Sequence, residues 1–156
     1  MNKLTALVGA ALFILNSVNA YAASPDVYVV KFRADNCQSC DVMETQLHFA
    51  MRMVNSRAVA EIVIDTTSPI LWEKSAHTAF DRDIVPQFNK WVGKTGFVAV
   101  IDAHTRLTIG CVSAQDSAYN MANFIKSAAG LPSDYQVSNR ASRFRCPPAQ
   151  NIDYGN

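Results

Sequence analysis

The sequence has no hydrophobic run long enough to cross a bilayer as a helix, which takes about 20 residues. Its longest apolar stretch covers residues 4–15, follows the cation Lys3, and precedes Ala20 and Ala22 at the spacing of an A-x-A cleavage site. This pattern predicts a secretory signal peptide over residues 1–22 and no stable membrane insertion after its cleavage. The alternative is an uncleaved N-terminal anchor. No cysteine lies near the cleavage site, so no lipid-attachment site is indicated.

The chain also has little net charge, with 14 Lys and Arg residues against 13 Asp and Glu residues. Loss of Lys3 with the signal peptide leaves the mature chain formally neutral. A neutral chain does not indicate binding to nucleic acid or to an anionic membrane surface. There is no internal repeat or low-complexity tract, and we expect one domain over residues 23–130 followed by an extended tail over residues 131–156.

Cysteine is scarce, and all four cysteines follow the predicted signal peptide: Cys37, Cys40, Cys111 and Cys146. In an exported protein, an even set of cysteines indicates disulfides. The sequence therefore predicts a periplasmic or secreted protein that contains disulfide bonds.

Hydrophobic periodicity predicts an alternation of strands and helices. A strand at 27–32 precedes a helix at 38–55, and a strand at 59–64 precedes a helix at 70–80 in which Ser68 is the N-cap and Pro69 the first residue. A shorter helical piece to residue 91, strands at 97–101 and 106–111, and a helix at 114–128 complete the domain. The short connection between the last two strands predicts an antiparallel hairpin, whereas the first two strands should pair in parallel.

The feature most informative about function is Cys37-Gln38-Ser39-Cys40, which lies between the first strand and the first helix. Two intervening residues allow a tight disulfide, and a helix N-terminus favours the thiolate form of the first cysteine. Because the thiolate is the nucleophile of disulfide exchange, this position favours redox chemistry.

The strand, the CxxC motif and the order of the elements together resemble the thioredoxin-like superfamily. The resemblance implies an α/β fold with a mixed sheet, made of a β-α-β unit, an antiparallel hairpin and a C-terminal helix, with helices on both faces. It also implies that Cys37 is the attacking cysteine and Cys40 the resolving one, with Gln38 and Ser39 modulating them. Metal and organic cofactors are not implied.

The sequence departs from the thioredoxin-like pattern at four places, and each departure affects how far the properties of that superfamily apply here. These places are Asn36, Lys31, Thr95-Gly96 and the long segment 66–94. Asn36 stands where tryptophan is common. Lys31 replaces a buried acid beneath the second cysteine, and either points inward and favours the thiolates or extends to solvent. Thr95-Gly96 falls at the family's cis-proline position, so a proline at position 96 is expected to be tolerated.

Cys111 and Cys146 permit three interpretations. The favoured one is a structural disulfide that holds the tail, and the others are a third redox cysteine and a four-cysteine zinc site.

The three histidines, His48, His77 and His104, are interpreted as structural or exposed, although a cysteine–histidine hydrolase would need one of them beside Cys37.

The leading functional hypothesis is a periplasmic or secreted thiol-disulfide oxidoreductase or isomerase that acts on protein substrates and exchanges electrons with a redox partner protein. The alternative is a non-catalytic thioredoxin-like interaction module of an envelope or secretion assembly. A third possibility is a carrier that binds a soft metal ion through Cys37 and Cys40.

Overall fold

The computed structural model describes residues 24–134 and 144–150. The predicted signal peptide and most of the predicted tail lie outside the described residues, so these assignments stay predictions. Within the described part of the chain, no helix has the length and apolar character needed to cross a membrane.

Four strands form one mixed sheet, in the order β2-β1-β3-β4. Strands β1 and β2 are parallel, whereas β1 with β3 and β3 with β4 are antiparallel. The strands are β1 Val27–Arg33, β2 Val59–Asp65, β3 Phe97–Asp102 and β4 Thr108–Ser113. The helices are α1 Cys40–Val54, α2 Pro69–Asp81, α3 Val85–Trp91 and α4 Ala118–Ala128.

The central strand β1 is buried on both faces of the sheet. Val27 and Val29 face a core formed with α1 and α4, whereas Val30 and Phe32 face a second core formed with α2 and α3. Since side chains alternate along a strand, burial on both faces requires the nearly continuous apolar run that the sequence shows. The predicted fold class, a thioredoxin-like mixed sheet with helices on both faces, is confirmed.

The start of α2 agrees with the prediction in detail. Ser68 is the N-cap, its side chain accepts a hydrogen bond from the backbone N–H of Leu71, and Pro69 is the first helical residue. Proline fits there because the first N–H groups of a helix have no partner within the helix.

The hairpin begins at Phe97 as predicted, but its second strand and the last helix begin later than predicted. The turn continues to Leu107 because Asp102 accepts hydrogen bonds from the N–H groups of His104 and Thr105, and Arg106 takes a positive φ of 62°. Strand β4 therefore runs over residues 108–113 instead of 106–111. Residues 114–116 likewise form a turn, in which the Asp116 carboxylate accepts the N–H of Ser113.

Candidate functional site

The CxxC motif lies in the connection between the end of β1 and the start of α1. The N–H of Cys37 donates to the carbonyl of Ala34 at 3.1 Å, and the N–H of Cys40 donates to the carbonyl of Cys37 at 3.2 Å. These bonds fold the segment into two successive turns. They hold the two cysteines with their Cα atoms 5.4 Å apart, joined by a disulfide.

The two sulfur-bearing residues differ in exposure. Cys40 is 2% exposed and packs as the first residue of α1, whereas Cys37 is partly exposed. Cys37 opens into a groove of about 610 Å³, which is lined by Asn36, Cys37, Gln38, Ser39, Val42, Thr95 and Ala114. A substrate thiol or disulfide can therefore approach Cys37 more easily than Cys40. The order of exposure agrees with the resemblance, and the attacking and resolving roles stay predictions.

The start of α1 supplies a partly positive environment for this pair. Ser39 is the N-cap residue, but its side chain accepts no hydrogen bond from the helix. The first-turn N–H groups of α1 thus lack a side-chain cap, and uncapped N–H groups favour a nearby anion. Asp41 in the first turn carries a negative charge that opposes this effect.

Gly96 lies directly against the CxxC motif, at the position that the resemblance implied. Its N–H donates to the carbonyl of Phe32 at 3.0 Å, and its φ is +83°. A side-chain Cβ at this position would overlap the hydroxyl oxygen of Ser39 and lie 3.3 Å from the sulfur of Cys37. Among the described residues every peptide bond is trans.

This geometry overturns the expectation that a proline is tolerated at position 96. Proline requires a φ near −65° and has no N–H to donate. The φ of +83° and the hydrogen bond to Phe32 are both incompatible with it. The wall opposite the disulfide is therefore a glycine turn, and it differs in kind from the cis-proline turn of the family.

Lys31 lies on the α1 side of the sheet with its side chain 14% exposed, and it forms two ion pairs. Its ammonium nitrogen is 3.5 Å from a carboxylate oxygen of Glu44 and 3.6 Å from one of Glu61. The two carboxylates offset the positive charge that would otherwise favour thiolates at the cysteine pair. Lys31 therefore gives little reason to expect an oxidising disulfide.

Arg33 stabilises the base of the CxxC loop, and sequence analysis did not single it out. Its guanidinium bonds to carboxylates on three neighbouring segments, those of Asp35 at 2.9 Å, Glu44 at 2.8 Å and Asp65. Burial disfavours the Asp65 anion, but hydrogen bonds from Thr67 and Arg33 outweigh it and lower the pKa of Asp65. The sequence did offer one signal for this role, an arginine at the end of a predicted strand with Asp35 two residues later. It does not show which of the more distant acids come close to the guanidinium.

A second groove, of about 670 Å³, adjoins the first. It shares Asn36 and Thr95 with the cysteine groove and continues to Trp72 on α2, which is 46% exposed. The Trp72 ring packs edge-on against the ring of Phe88, with centroids 5.7 Å apart, whereas Phe80 is 74% exposed. Phe88 and Trp91, in contrast, are buried.

The far wall of this second groove comes from the C-terminal segment. Gln150 lines the groove beside Gly93, and its N–H donates to the carbonyl of Lys90 at 2.9 Å. The indole N–H of Trp91 donates to the carbonyl of Pro147 at 3.0 Å. Sequence analysis favoured a disulfide that holds the tail at Cys146, but it gave no signal that Gln150 would line this groove.

A disulfide between Cys111 on β4 and Cys146 holds the same segment to the sheet. Phe144 is buried and stacks on Phe124 of α4 with ring centroids 4.3 Å apart. The N–H of Cys111 also donates to the carbonyl of Phe144. Residues 144–150 thus pack against the domain, with Phe144 in its core and Gln150 in the wall of the second groove.

The histidines lie away from Cys37. His48 and His77 are exposed on α1 and α2, and His104 contacts Asp26 at 3.1 Å, at the end of the sheet opposite the CxxC motif. None of them lines the cysteine groove. Among the described residues, no cluster of three or more His, Cys, Asp or Glu side chains has an arrangement that could hold a metal ion.

Comparison with protein-family models, curated proteins and solved structures found no match to this chain. The mixed sheet and the Cys37–Cys40 pair are compatible with a thioredoxin-like CxxC protein. Any finer statement about activity has to come from the geometry of the site.

Proposed function

We propose that this protein is an exported thiol-disulfide oxidoreductase or isomerase, which exchanges disulfides with protein substrates through Cys37 and Cys40. The observation that carries the proposal is the unequal exposure of the pair. Cys37 is partly exposed and lines a groove, whereas Cys40 is buried in the first turn of α1. A dithiol enzyme needs one sulfur for its substrate and a second, shielded sulfur to release it.

The reaction is two successive exchanges. The Cys37 thiolate attacks a substrate disulfide, one substrate sulfur leaves as a thiolate, and Cys37 is bound to the substrate in a mixed disulfide. Cys40, once deprotonated, attacks the sulfur of Cys37, and the second substrate sulfur leaves. Two electrons pass from the enzyme to the substrate, and the Cys37–Cys40 disulfide is formed. The reverse sequence oxidises a substrate dithiol.

A groove of this size and character suits part of a polypeptide. The two connected grooves present hydroxyl and amide side chains from Ser39, Asn36, Thr95 and Gln150, with Trp72 as an aromatic surface. These neutral groups can hydrogen-bond to peptide groups without selecting for charge. Two disulfides in a chain of this length support a periplasmic or secreted location.

Measurement of the reduction potential of Cys37–Cys40 tests the proposal. The purified protein is equilibrated with glutathione buffers, thiols are trapped, and each cysteine is quantified by mass spectrometry. A reversible couple above roughly −230 mV supports an oxidant or isomerase, and a value near −270 mV a reductase. A pair that resists reduction below roughly −300 mV would count against exchange chemistry.

One observation favours the alternative, a non-catalytic interaction module. Gly96 replaces the cis-proline wall by a glycine turn that approaches Cys37 closely. If that turn prevents a substrate from docking, the disulfide serves only to stabilise the loop. Turnover separates the two functions: the oxidoreductase reactivates scrambled ribonuclease in a redox buffer and loses that activity in Cys37→Ala, whereas the module shows no activity in either form.

A further inference from the structure

Ser39 lies within the CxxC motif, and its hydroxyl is turned toward the exposed sulfur. Its Oγ atom is 3.8 Å from the Sγ atom of Cys37. Serine at a helix N-cap ordinarily accepts a hydrogen bond from an N–H group of the first turn, which satisfies an otherwise unpaired donor. Ser39 occupies the N-cap of α1 without making that bond. Its hydroxyl therefore remains available to the sulfur.

Gly96 provides the space that this hydroxyl occupies. A Cβ atom on residue 96 would overlap Ser39 Oγ, and it would lie 3.3 Å from Cys37 Sγ. Any side chain at position 96 would thus displace the serine hydroxyl, the sulfur, or both. The absence of a side chain at Gly96 and the unused cap at Ser39 are two separate observations that point to the same contact.

We propose that Ser39 is a positioning residue for the exchange reaction: its hydroxyl donates a hydrogen bond to the Cys37 thiolate, in the space left by Gly96. This inference rests on the proposed function. A sulfur in a disulfide is a weak acceptor, whereas a thiolate is an anion and accepts a stronger bond from an O–H donor. The contact at 3.8 Å in the disulfide form therefore shortens on reduction.

The Ser39 hydrogen bond acts at the steps in which Cys37 is a thiolate. When a substrate thiolate attacks the sulfur of Cys37 in the disulfide, the Cys37–Cys40 bond breaks and Cys40 leaves as a thiolate. A second substrate thiolate then attacks the substrate sulfur of the mixed disulfide, and Cys37 leaves as a thiolate that accepts the Ser39 hydrogen bond. The substrate dithiol loses two electrons and the cysteine pair gains them. In the reverse direction the same bond stabilises Cys37 as the nucleophile.

The test isolates Cys37 as a single thiol. In the full chain with Cys40→Ala, the rate of iodoacetamide alkylation of Cys37 is measured against pH, with and without Ser39→Ala. The expected result is a shift of the profile midpoint to higher pH by about one unit, the size of a hydrogen bond to a charged group. Ser39→Thr keeps a hydroxyl and should keep the midpoint. Thr78→Ala removes a hydroxyl from the surface of α2 and serves as the control.

Coincident profiles for the parent and the Ser39→Ala variant overturn the inference, as does an equal shift in Ser39→Thr. The outcome is separable from that of the proposed function. A midpoint shift in a protein that reactivates no scrambled ribonuclease, and whose cysteine pair resists reduction below roughly −300 mV, leaves the hydrogen bond established and refutes the oxidoreductase. Ribonuclease reactivation without a midpoint shift supports the oxidoreductase and refutes the role of Ser39.

Discussion

Gly96 and Ser39 share one space beside the exposed sulfur of the CxxC motif, because a Cβ on Gly96 would overlap the Ser39 hydroxyl. The two residues belong to different segments, the turn before β3 and the cap of α1. This contact makes the surroundings of Cys37 depend on a glycine, which in the sequence is noticeable only because thioredoxin-like proteins have a proline at that position.

The first prediction concerns the energetic coupling of these two residues. Gly96→Ala should destabilise the protein by about 1–3 kcal/mol, because φ is +83° and the added methyl group meets Ser39. In a Ser39→Ala background the hydroxyl is gone, so the same change should cost about 1 kcal/mol less. Urea unfolding of the parent, the two single variants and the double variant measures this difference. Strictly additive effects would contradict the finding that Gly96 and Ser39 share one space.

Gly96→Pro is predicted to destabilise the fold by roughly 3 kcal/mol, since proline removes the hydrogen bond to the Phe32 carbonyl and cannot take the observed φ. Thermal or urea unfolding provides the measurement. Pro148→Ala serves as the control and should change stability little, because Pro148 is exposed. Unchanged stability of Gly96→Pro would show that the turn adopts another backbone conformation in solution.

The unequal burial of the two cysteines in the CxxC motif predicts unequal effects of their replacement. Under reducing conditions Cys40→Ala should cost about 1 kcal/mol, because it removes a buried sulfur, whereas Cys37→Ala should cost less than about 0.5 kcal/mol. Both changes should abolish turnover, and Cys40→Ala should accumulate mixed disulfides with substrate. Equal destabilisation by the two replacements would argue against the assigned polarity.

The Cys111–Cys146 disulfide is predicted to stabilise the domain far more than the Cys37–Cys40 disulfide does. It links residues 35 positions apart, for which loop-closure estimates give roughly 3–4 kcal/mol, whereas the CxxC disulfide links residues only 3 positions apart. The double variant Cys111→Ala with Cys146→Ala should unfold at correspondingly lower urea concentration. The double variant Cys37→Ala with Cys40→Ala is its matched control, and a larger loss in the control would refute the prediction.

Asp65 predicts a loss of stability in acid. Hydrogen bonds from Thr67 and Arg33 lower its folded-state pKa below the unfolded value of about 3.9, despite the opposing effect of burial. The unfolded state therefore binds its proton first as the pH falls, and the contribution of Asp65 is complete well above pH 4 and is lost as the pH falls through the folded pKa. Asp65→Asn should cost about 1–2 kcal/mol at pH 7 and progressively less below pH 4.

Chemical unfolding of the parent protein and of Asp65→Asn between pH 2 and pH 7 checks this dependence. The exposed residue Asp81 supplies the control, since Asp81→Asn changes a surface side chain and should alter the free energy of unfolding at pH 7 by less than about 0.5 kcal/mol. A constant difference between Asp65→Asn and the parent across that range would contradict the assignment.

Sequence reasoning succeeded where the signal is local. The apolar run of β1, the Ser68 cap followed by Pro69, and the turn that places Cys37 and Cys40 at the start of α1 all depend on residues within a few positions of one another. Hydrophobic periodicity and capping chemistry report such local structure directly. Its errors at the ends of the hairpin arose from side-chain hydrogen bonds of Asp102 and Asp116, which lengthen the turns.

The sequence by itself determined the order of the elements through periodicity and the position of the CxxC pair through spacing, and its resemblance to thioredoxin-like proteins implied the mixed sheet. Tertiary structure alone decided the environment of that disulfide. It cancelled the charge of Lys31 with Glu44 and Glu61, placed Gly96 against Ser39, and brought residues 144–150 beside the groove. The physical reason is that these contacts join segments distant in the chain, and their distances are set by how the sheet and the helices pack.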